Sequence, residues 1–275
     1  MLINGRKIAE EALAKLKEEI SSKNLKLQMA AVLVSDRPEL KRFVELKEKA
    51  AKSIGVGFKS YFFDESISEA ELVKEVEKIS ADKEIDGVFI ELPLPKHINA
   101  QNILDAIPAG KDLDVLARLN QDKFFSGDFL ILPPAVESVK MVLDKYSIDL
   151  RGKKIAVFGY GFLVGKPVSF WLDKQGAKTS VIRSKTENPG GISVEADIII
   201  SGVGKPGLIG GNMVKEGAVI IDFGYGNKDG KMVGDVDFDS VSSKASLITP
   251  VPGGMGPILI TAVLSNLVKL KMKSL

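Results

Sequence analysis

The chain has 275 residues, enough for one or two domains with buried cores, and its 45% hydrophobic and 27% charged content is that of a globular protein. A net charge of +2, with no basic stripe interleaved with aromatics, argues against a nucleic-acid partner. The absence of cysteine excludes disulfides, thiolate metal sites and thiol nucleophiles, and a single histidine, His97, excludes a multi-histidine metal site, so no metal is expected and acid–base chemistry falls to Lys, Asp, Glu or Tyr.

Ile8, Ala12, Leu13 and Leu16 recur at helical spacing over residues 5–20. Lysines alternate with glutamates there, as on a solvated helix face. Lys7, Glu10 and Glu11 interrupt any signal-peptide core, and no apolar run looks long enough to span a bilayer. Cytoplasmic residence without a membrane partner is therefore expected. Residues 29–34 read as a buried strand, 39–54 as a helix ended by Gly55, and 58–63 as a strand. Ser68 and Glu71 form a capping-box pattern at the head of a helix over 68–79. Residues 86–92 read as a strand stopped by Pro93 and Pro95, and 134–145 as a helix. A domain boundary is expected at 146–152.

Beyond it, strands are predicted at 154–158, 179–182, 197–201, 218–223 and 247–249, with a helix over 164–175. This alternation implies α/β architecture: two α/β domains flanking a cleft, the second a Rossmann-like dinucleotide-binding domain with a mostly parallel sheet. The tract Thr249-Pro-Val-Pro-Gly-Gly-Met-Gly-Pro257 follows, and neither helix nor strand can run through its prolines and glycines. A surface turn would need less punctuation, so the tract reads as a ligand loop. A last helix over 258–270 is apolar around most of its circumference and is expected to pack back on the first domain. The expected domains are thus 1–146 plus 257–275, and 147–256.

Residues 155–165 run from a strand through Gly159, Gly161 and Gly165 into a helix. The spacing G-x-G-x-x-x-G is weak by itself, but its place between a strand and a helix is that of a dinucleotide turn. Gly159 turns the chain, Gly161 lets the backbone near a pyrophosphate, and the helix N-terminus offers N–H groups to the anion. The next strand ends in Arg183-Ser184-Lys185-Thr186 rather than a carboxylate, which favours NADP over NAD. Asp235 and Asp237, without further ligands, read as a turn or strand edge rather than a metal site, and His97 as a loop residue making a structural hydrogen bond. Lys47, one turn after Phe43 on a predicted helix, reads on its own as a surface lysine.

Six segments stand out together: Pro250-Val-Pro-Gly-Gly-Met-Gly-Pro257, Glu91-Leu-Pro-Leu-Pro95 followed by His97 and Ile98, Lys111-Asp-Leu-Asp114, Gly234-Asp-Val-Asp-Phe238, Val164-Gly-Lys-Pro167 and Val203-Gly-Lys-Pro206. Together they resemble the bifunctional methylenetetrahydrofolate dehydrogenase/cyclohydrolase family. They occur in family order over nearly the whole chain. The resemblance implies that Lys47 is the principal acid–base residue and that Phe43 stands where the family's tyrosine stacks on folate. Glu91 replaces the family's glutamine beside that lysine. Asp114 would bind the pterin edge, with Val115 replacing a glycine. Leu92, Pro93, Pro252, Gly253 and Gly254 would line the folate pocket. Gly159, Tyr160, Gly161, Val164, Gly165, Arg183, Ser184 and Tyr225 would hold NADP, Tyr160 and Gly161 standing in place of an Arg-Ser pair.

The implied reactions are NADP-dependent oxidation of 5,10-methylenetetrahydrofolate to the methenyl cation and hydrolysis of that cation to 10-formyltetrahydrofolate. Catalysis is expected from Lys47, Glu91 and Asp114. A carboxylate beside Lys47 favours its ammonium form, so the cyclohydrolase is expected to be altered or weak while the dehydrogenase persists. A homodimer through the cofactor domain is implied as well. The alternatives are a folate dehydrogenase alone, a two-domain dehydrogenase of another small substrate, and a nucleotide-binding protein without catalysis.

Overall fold

Ile8, Leu16 and Ile20 share one face of helix α1 (Gly5–Ser22) and are buried, as a 3.6-residue period requires. The computed structural model describes residues 1–274. Contacts divide the chain into two units, one of Met1–Glu10 and Ala135–Leu259, the other of Glu11–Pro134 and the residues from Ile260 on.

In the second of these, β1 (Gln28–Leu33) lies between β2 (Gly57–Phe62) and β3 (Gly87–Ile90) in a parallel sheet. The continuous apolar run of β1 follows from its central place, where both faces are covered. Helix α2 (Pro38–Ser53) joins β1 to β2 and opens on Pro38, whose fixed φ suits a first turn. Helix α3 (Glu69–Ala81) joins β2 to β3 and starts with the expected capping box, Glu71 N–H donating to Ser68 Oγ and Ser68 N–H to Glu71 Oε2. Two helices follow that the periodicity did not announce, α4 (Ala100–Asp105) and α5 (Arg118–Ser126). The first is a single capped turn or so, and the second buries only Phe124, so neither carries an apolar stripe.

After residues 1–10, the other unit runs through α6 (Pro134–Lys145), β4 (Lys154–Phe158), α7 (Gly165–Lys174), β5 (Lys178–Ile182), α8 (Pro189–Ser193) and β6 (Ile198–Ser201). After a 3-10 turn at Gly211–Met213 come β7 (Val219–Asp222), β8 (Gly226–Lys228), β9 (Lys231–Val233), α9 (Phe238–Ser242) and β10 (Leu247–Ile248). Its main sheet is parallel throughout, in the order β10-β7-β6-β4-β5. The chain leaves β4 toward β5 and returns on the other side at β6, which makes the β4/β6 edge a topological switch point. The β8–β9 hairpin was not foreseen, although its turn is an Asp229-Gly230 pair with both residues at positive φ, the strongest short hairpin signal.

One expectation is corrected. Helix α10 (Met255–Lys273) begins inside the proline–glycine tract, because Met255, Gly256 and Pro257 form its first turn, where proline lacks no needed donor. It is also long and apolar enough to cross a membrane by length and composition alone, but 56% of that window is buried in the fold, as in a core helix. Residues 1–10 and α6 group with the dinucleotide sheet rather than with 11–134. For the N-terminus the cause is pairing: Leu2 bridges Ile248 in parallel, and Ile3 N–H donates to Ile248 O at 2.8 Å.

Candidate active site

Lys47 lies on α2 with most of its side chain covered. Its Nζ donates to Glu91 Oε2 at 2.6 Å and sits 4.2 Å from the ring centroid of Phe89. Phe89 and Glu91 are two residues apart at the end of β3, so the strand's period of two turns both toward the same lysine. Both are buried. Phe89 was missed in the sequence. An aromatic at the centre of a buried strand signals core, and only the fold shows that its face meets a cation. Phe43 precedes Lys47 by one helical turn and is half-buried. Leu92 packs against the core beneath the sheet, and Pro93 is exposed.

Asp114 reaches this group through a short strand-like pairing. Val88 N–H donates to Lys111 O and Leu113 N–H to Val88 O, so residues 111–113 run parallel beside β3. Lys111 anchors that segment by donating to the carbonyls of Ser80 and Asp82, each at 2.8 Å. Buried Asp112 accepts from Ala117 N–H, the Asn120 amide and Asp114 N–H, closing a turn around Asp114. Burial pushes the Asp112 carboxyl up, against those hydrogen bonds. Asp114 is half-buried, and burial pushes its carboxyl up to about 7; Lys47 opposes the shift, while Asp112 and Glu91 add to it. Val115 holds φ +58, a left-handed conformation costly for a β-branched residue. Lys47, Glu91, Phe89 and Asp114 therefore form one cluster of a cation, a ring face and carboxyl groups.

The dinucleotide turn is in the other unit. Gly159 has φ +94, and a Cβ on Gly165 would strike Gly159 O, so both glycines are needed for α7 to start against the end of β4. A Cβ on Gly161 would meet nothing within 4 Å, which leaves an open approach to its backbone. Val164 caps α7. Arg183 and Ser184 stand exposed just after β5, in a turn held by Arg183 N–H donating to Thr186 Oγ1 at 2.9 Å. The Arg183 guanidinium lies 4.1 Å from the ring centroid of Tyr160. Tyr225 is exposed just ahead of β8. A bare glycine turn, a helix N-terminus and an exposed arginine at the β5 end together fit a phosphorylated dinucleotide.

The proline–glycine tract is rigid for internal reasons. Gly253 has φ +97, and a Cβ on Gly254 would meet Pro250 O and, at 2.8 Å, Thr249 Cβ. Thr249 Oγ1 accepts Asp222 N–H at 2.7 Å, fixing the head of the tract to the end of β7, while Pro252 is exposed. Desolvation raises the Asp222 carboxyl to about 6. His97 has the structural hydrogen bond read for it, Nε2–H to Ile67 O at 3.0 Å.

Two family models cover the chain: the catalytic domain of tetrahydrofolate dehydrogenase/cyclohydrolase matches residues 3–114, and its NAD(P)-binding domain matches residues 133–275. The bifunctional protein FolD of Hydrogenobaculum sp. is 38% identical over 270 residues, covering 98% of this chain and 97% of that protein. The crystal structure of the bifunctional enzyme FolD from Campylobacter jejuni superposes with a TM-score of 0.95 at 35% identity, over 100% of this chain and 99% of that one. The Trypanosoma brucei methylenetetrahydrofolate dehydrogenase-cyclohydrolase, solved with NADP cofactor and an inhibitor, superposes with a TM-score of 0.94 at 29% identity, over 100% and 98% of the two chains.

Proposed function

The chain belongs to the tetrahydrofolate dehydrogenase/cyclohydrolase family, and from that premise we propose how its own residues divide the work. The protein oxidises 5,10-methylenetetrahydrofolate with NADP and hydrolyses the methenyl product to 10-formyltetrahydrofolate. Readings as a dehydrogenase of another small substrate, or as a nucleotide-binding protein without catalysis, give way to this one.

The observation that carries the assignment of roles is the Lys47–Glu91 contact of 2.6 Å with Asp114 alongside. Bound NADP supplies the hydride acceptor. Gly159, Gly161, Val164 and Gly165 receive its phosphates at the head of α7, Arg183 and Ser184 take the 2′-phosphate, and Tyr160 and Tyr225 flank the nucleotide. Phe43 stacks on the folate ring, Asp114 accepts the pterin N–H groups, and Leu92, Pro93, Pro252, Gly253 and Gly254 line the substrate's path. Hydride transfer asks these groups mainly to hold two carbons close and aligned. Hydrolysis asks more, because water must lose a proton. Lys47 handles that proton at Nζ, and it must part from a carboxylate at 2.6 Å to do so. The dehydrogenase is therefore the stronger activity of the two.

The unit carrying Lys47 binds folate and the unit carrying Gly159 binds NADP. A homodimer through the latter, and a cytoplasmic location without a membrane partner, complete the reading. The test is absorbance of the methenyl product on mixing protein, methylenetetrahydrofolate and either NADP or NAD, followed by its decay. Higher kcat/KM with NADP is expected. Glu91→Gln keeps an acceptor beside Lys47 without the charge and should raise cyclohydrolase turnover; a fall with the dehydrogenase unchanged would make Glu91 a participant in hydrolysis. Lys47→Met should abolish hydrolysis, and unchanged hydrolysis would remove Lys47 from the step.

A further inference from the structure

The segment Gly234-Asp-Val-Asp-Phe238 has no part in the chemistry above, yet Asp235 is fully buried and its carboxylate accepts three hydrogen bonds. Ser201 Oγ–H donates to Oδ2 at 2.6 Å, Val203 N–H to Oδ2 at 2.7 Å and Lys205 N–H to Oδ1 at 2.7 Å. The donors alternate along the chain, at 201, 203 and 205, so the loop leaving β6 wraps around this one side chain as a backbone nest wraps an anion. The backbone around it is fixed as well: Asp222 Oδ2 accepts Val236 N–H at 3.0 Å, and Gly224 packs so closely that a Cβ there would collide with Asp235. Ile209 N–H donates to Asp235 O at 3.0 Å on the adjoining side.

The wrapped loop bears directly on the glycine turn. A Cβ on Gly159 would come within 3.2 Å of Gly202 O, and one on Gly202 within 2.9 Å of Val164 Cγ1. Residues 202–205 and 159–164 thus pack without slack at the C-terminal ends of β6 and β4, the switch point where dinucleotides bind in this architecture. We propose that Asp235 is a positioning residue for NADP: by gathering Ser201, Val203 and Lys205 it sets the loop after β6 against the Gly159 turn and so fixes the shape that the dinucleotide meets.

The proposal rests on the NADP assignment, and its test separates the two. Dissociation of NADP and of NADPH is measured by fluorescence titration without folate, alongside the KM for methylenetetrahydrofolate, kcat and the melting temperature. In Asp235→Asn the amide NH2 confronts one of the three donors, so NADP binding should weaken about tenfold or more, with the folate KM within about twofold of the unaltered protein. Ser201→Ala removes one donor and leaves the two backbone bonds, and should weaken NADP about two- to fivefold with the same selectivity. If Asp235→Asn does not fold, Ser201→Ala decides. Unchanged NADP dissociation in either folded variant, or NADP and folate affinities falling together, would overturn the proposal. Failure of the unaltered protein to bind NADP at all would instead remove the cofactor assignment and this proposal with it.

Discussion

At Asp114 burial and charge oppose each other, and burial wins: its carboxyl is pushed up to about 7 despite the Lys47 cation. In the role proposed for Asp114, the ionised form accepts the pterin N–H groups at both oxygens and more strongly than the neutral acid, so the KM for methylenetetrahydrofolate should fall from about pH 6 to about pH 8 as Asp114 ionises. Asp114→Asn should flatten that dependence, as steady-state kinetics across the range would show. The same shift sets a stability trend. With the folded-state value raised above the unfolded one, the bound proton contributes stability that is fully present below about pH 4 and lost as pH rises through about 7. Urea unfolding should therefore show Asp114→Asn gaining on the unaltered protein as pH rises. Phe89 offers a second check. Phe89→Leu keeps a buried apolar residue but removes the ring face under Lys47, an interaction worth about 0.5–2 kcal/mol. Hydrolysis should change by several-fold while NADP affinity stays put; equal losses in both would point to general disruption. Lys47, Glu91 and Asp114 were legible only through motif resemblance, since a lysine on a polar helix carries no mark of its own. Phe89 was not legible, because its partner lies 42 positions earlier in the chain.

Most elements with strong local codes were read correctly, the Asp229-Gly230 hairpin being the exception, and the short helices without such codes were not. The capping box of α3 is written in Ser68 and Glu71 alone, and Ser68→Ala should cost about 1 kcal/mol in urea unfolding without touching either activity. The glycine turn into α7 was also legible, but the separate task of each glycine was not. Gly165 serves close approach, since its Cβ would strike Gly159 O, whereas Gly161 faces open space. Gly165→Ala should push α7 away from the turn and raise the KM for NADP, while Gly161→Ala should fold normally and act only through crowding of the nucleotide. Thermal melting together with NADP titration distinguishes the two. Helices α4 and α5 escaped because a short or half-exposed helix bears no periodic apolar stripe.

On the scale of the molecule, α10 closes the chain. Fully buried Asn266 donates to the carbonyls of Leu113 and Leu132, both at 2.9 Å, and Lys271 pairs with Asp86 at 2.7 Å. The last helix therefore braces the carbonyl just before Asp114. Asn266→Ala leaves two buried carbonyls unpaired and should cost about 2–4 kcal/mol in urea unfolding, with a raised KM for folate and little change in NADP affinity. The return of this helix to the earlier part of the chain was legible from its all-round apolarity. So was the alternation that makes both sheets parallel, because hydrophobic period and turn residues are local properties. Assignment of residues 1–10 to the dinucleotide sheet was not legible, since it depends on Leu2 pairing with Ile248. What the sequence determined by itself was the class of fold, the two glycine-rich tracts and, by resemblance, the substrate and cofactor. What tertiary structure alone decided was which groups meet: Phe89 beneath Lys47, Asp112 behind Asp114, Asp235 inside the loop after β6. Those contacts join residues far apart in the chain, and their strength comes from burial and distance, neither of which a linear pattern encodes.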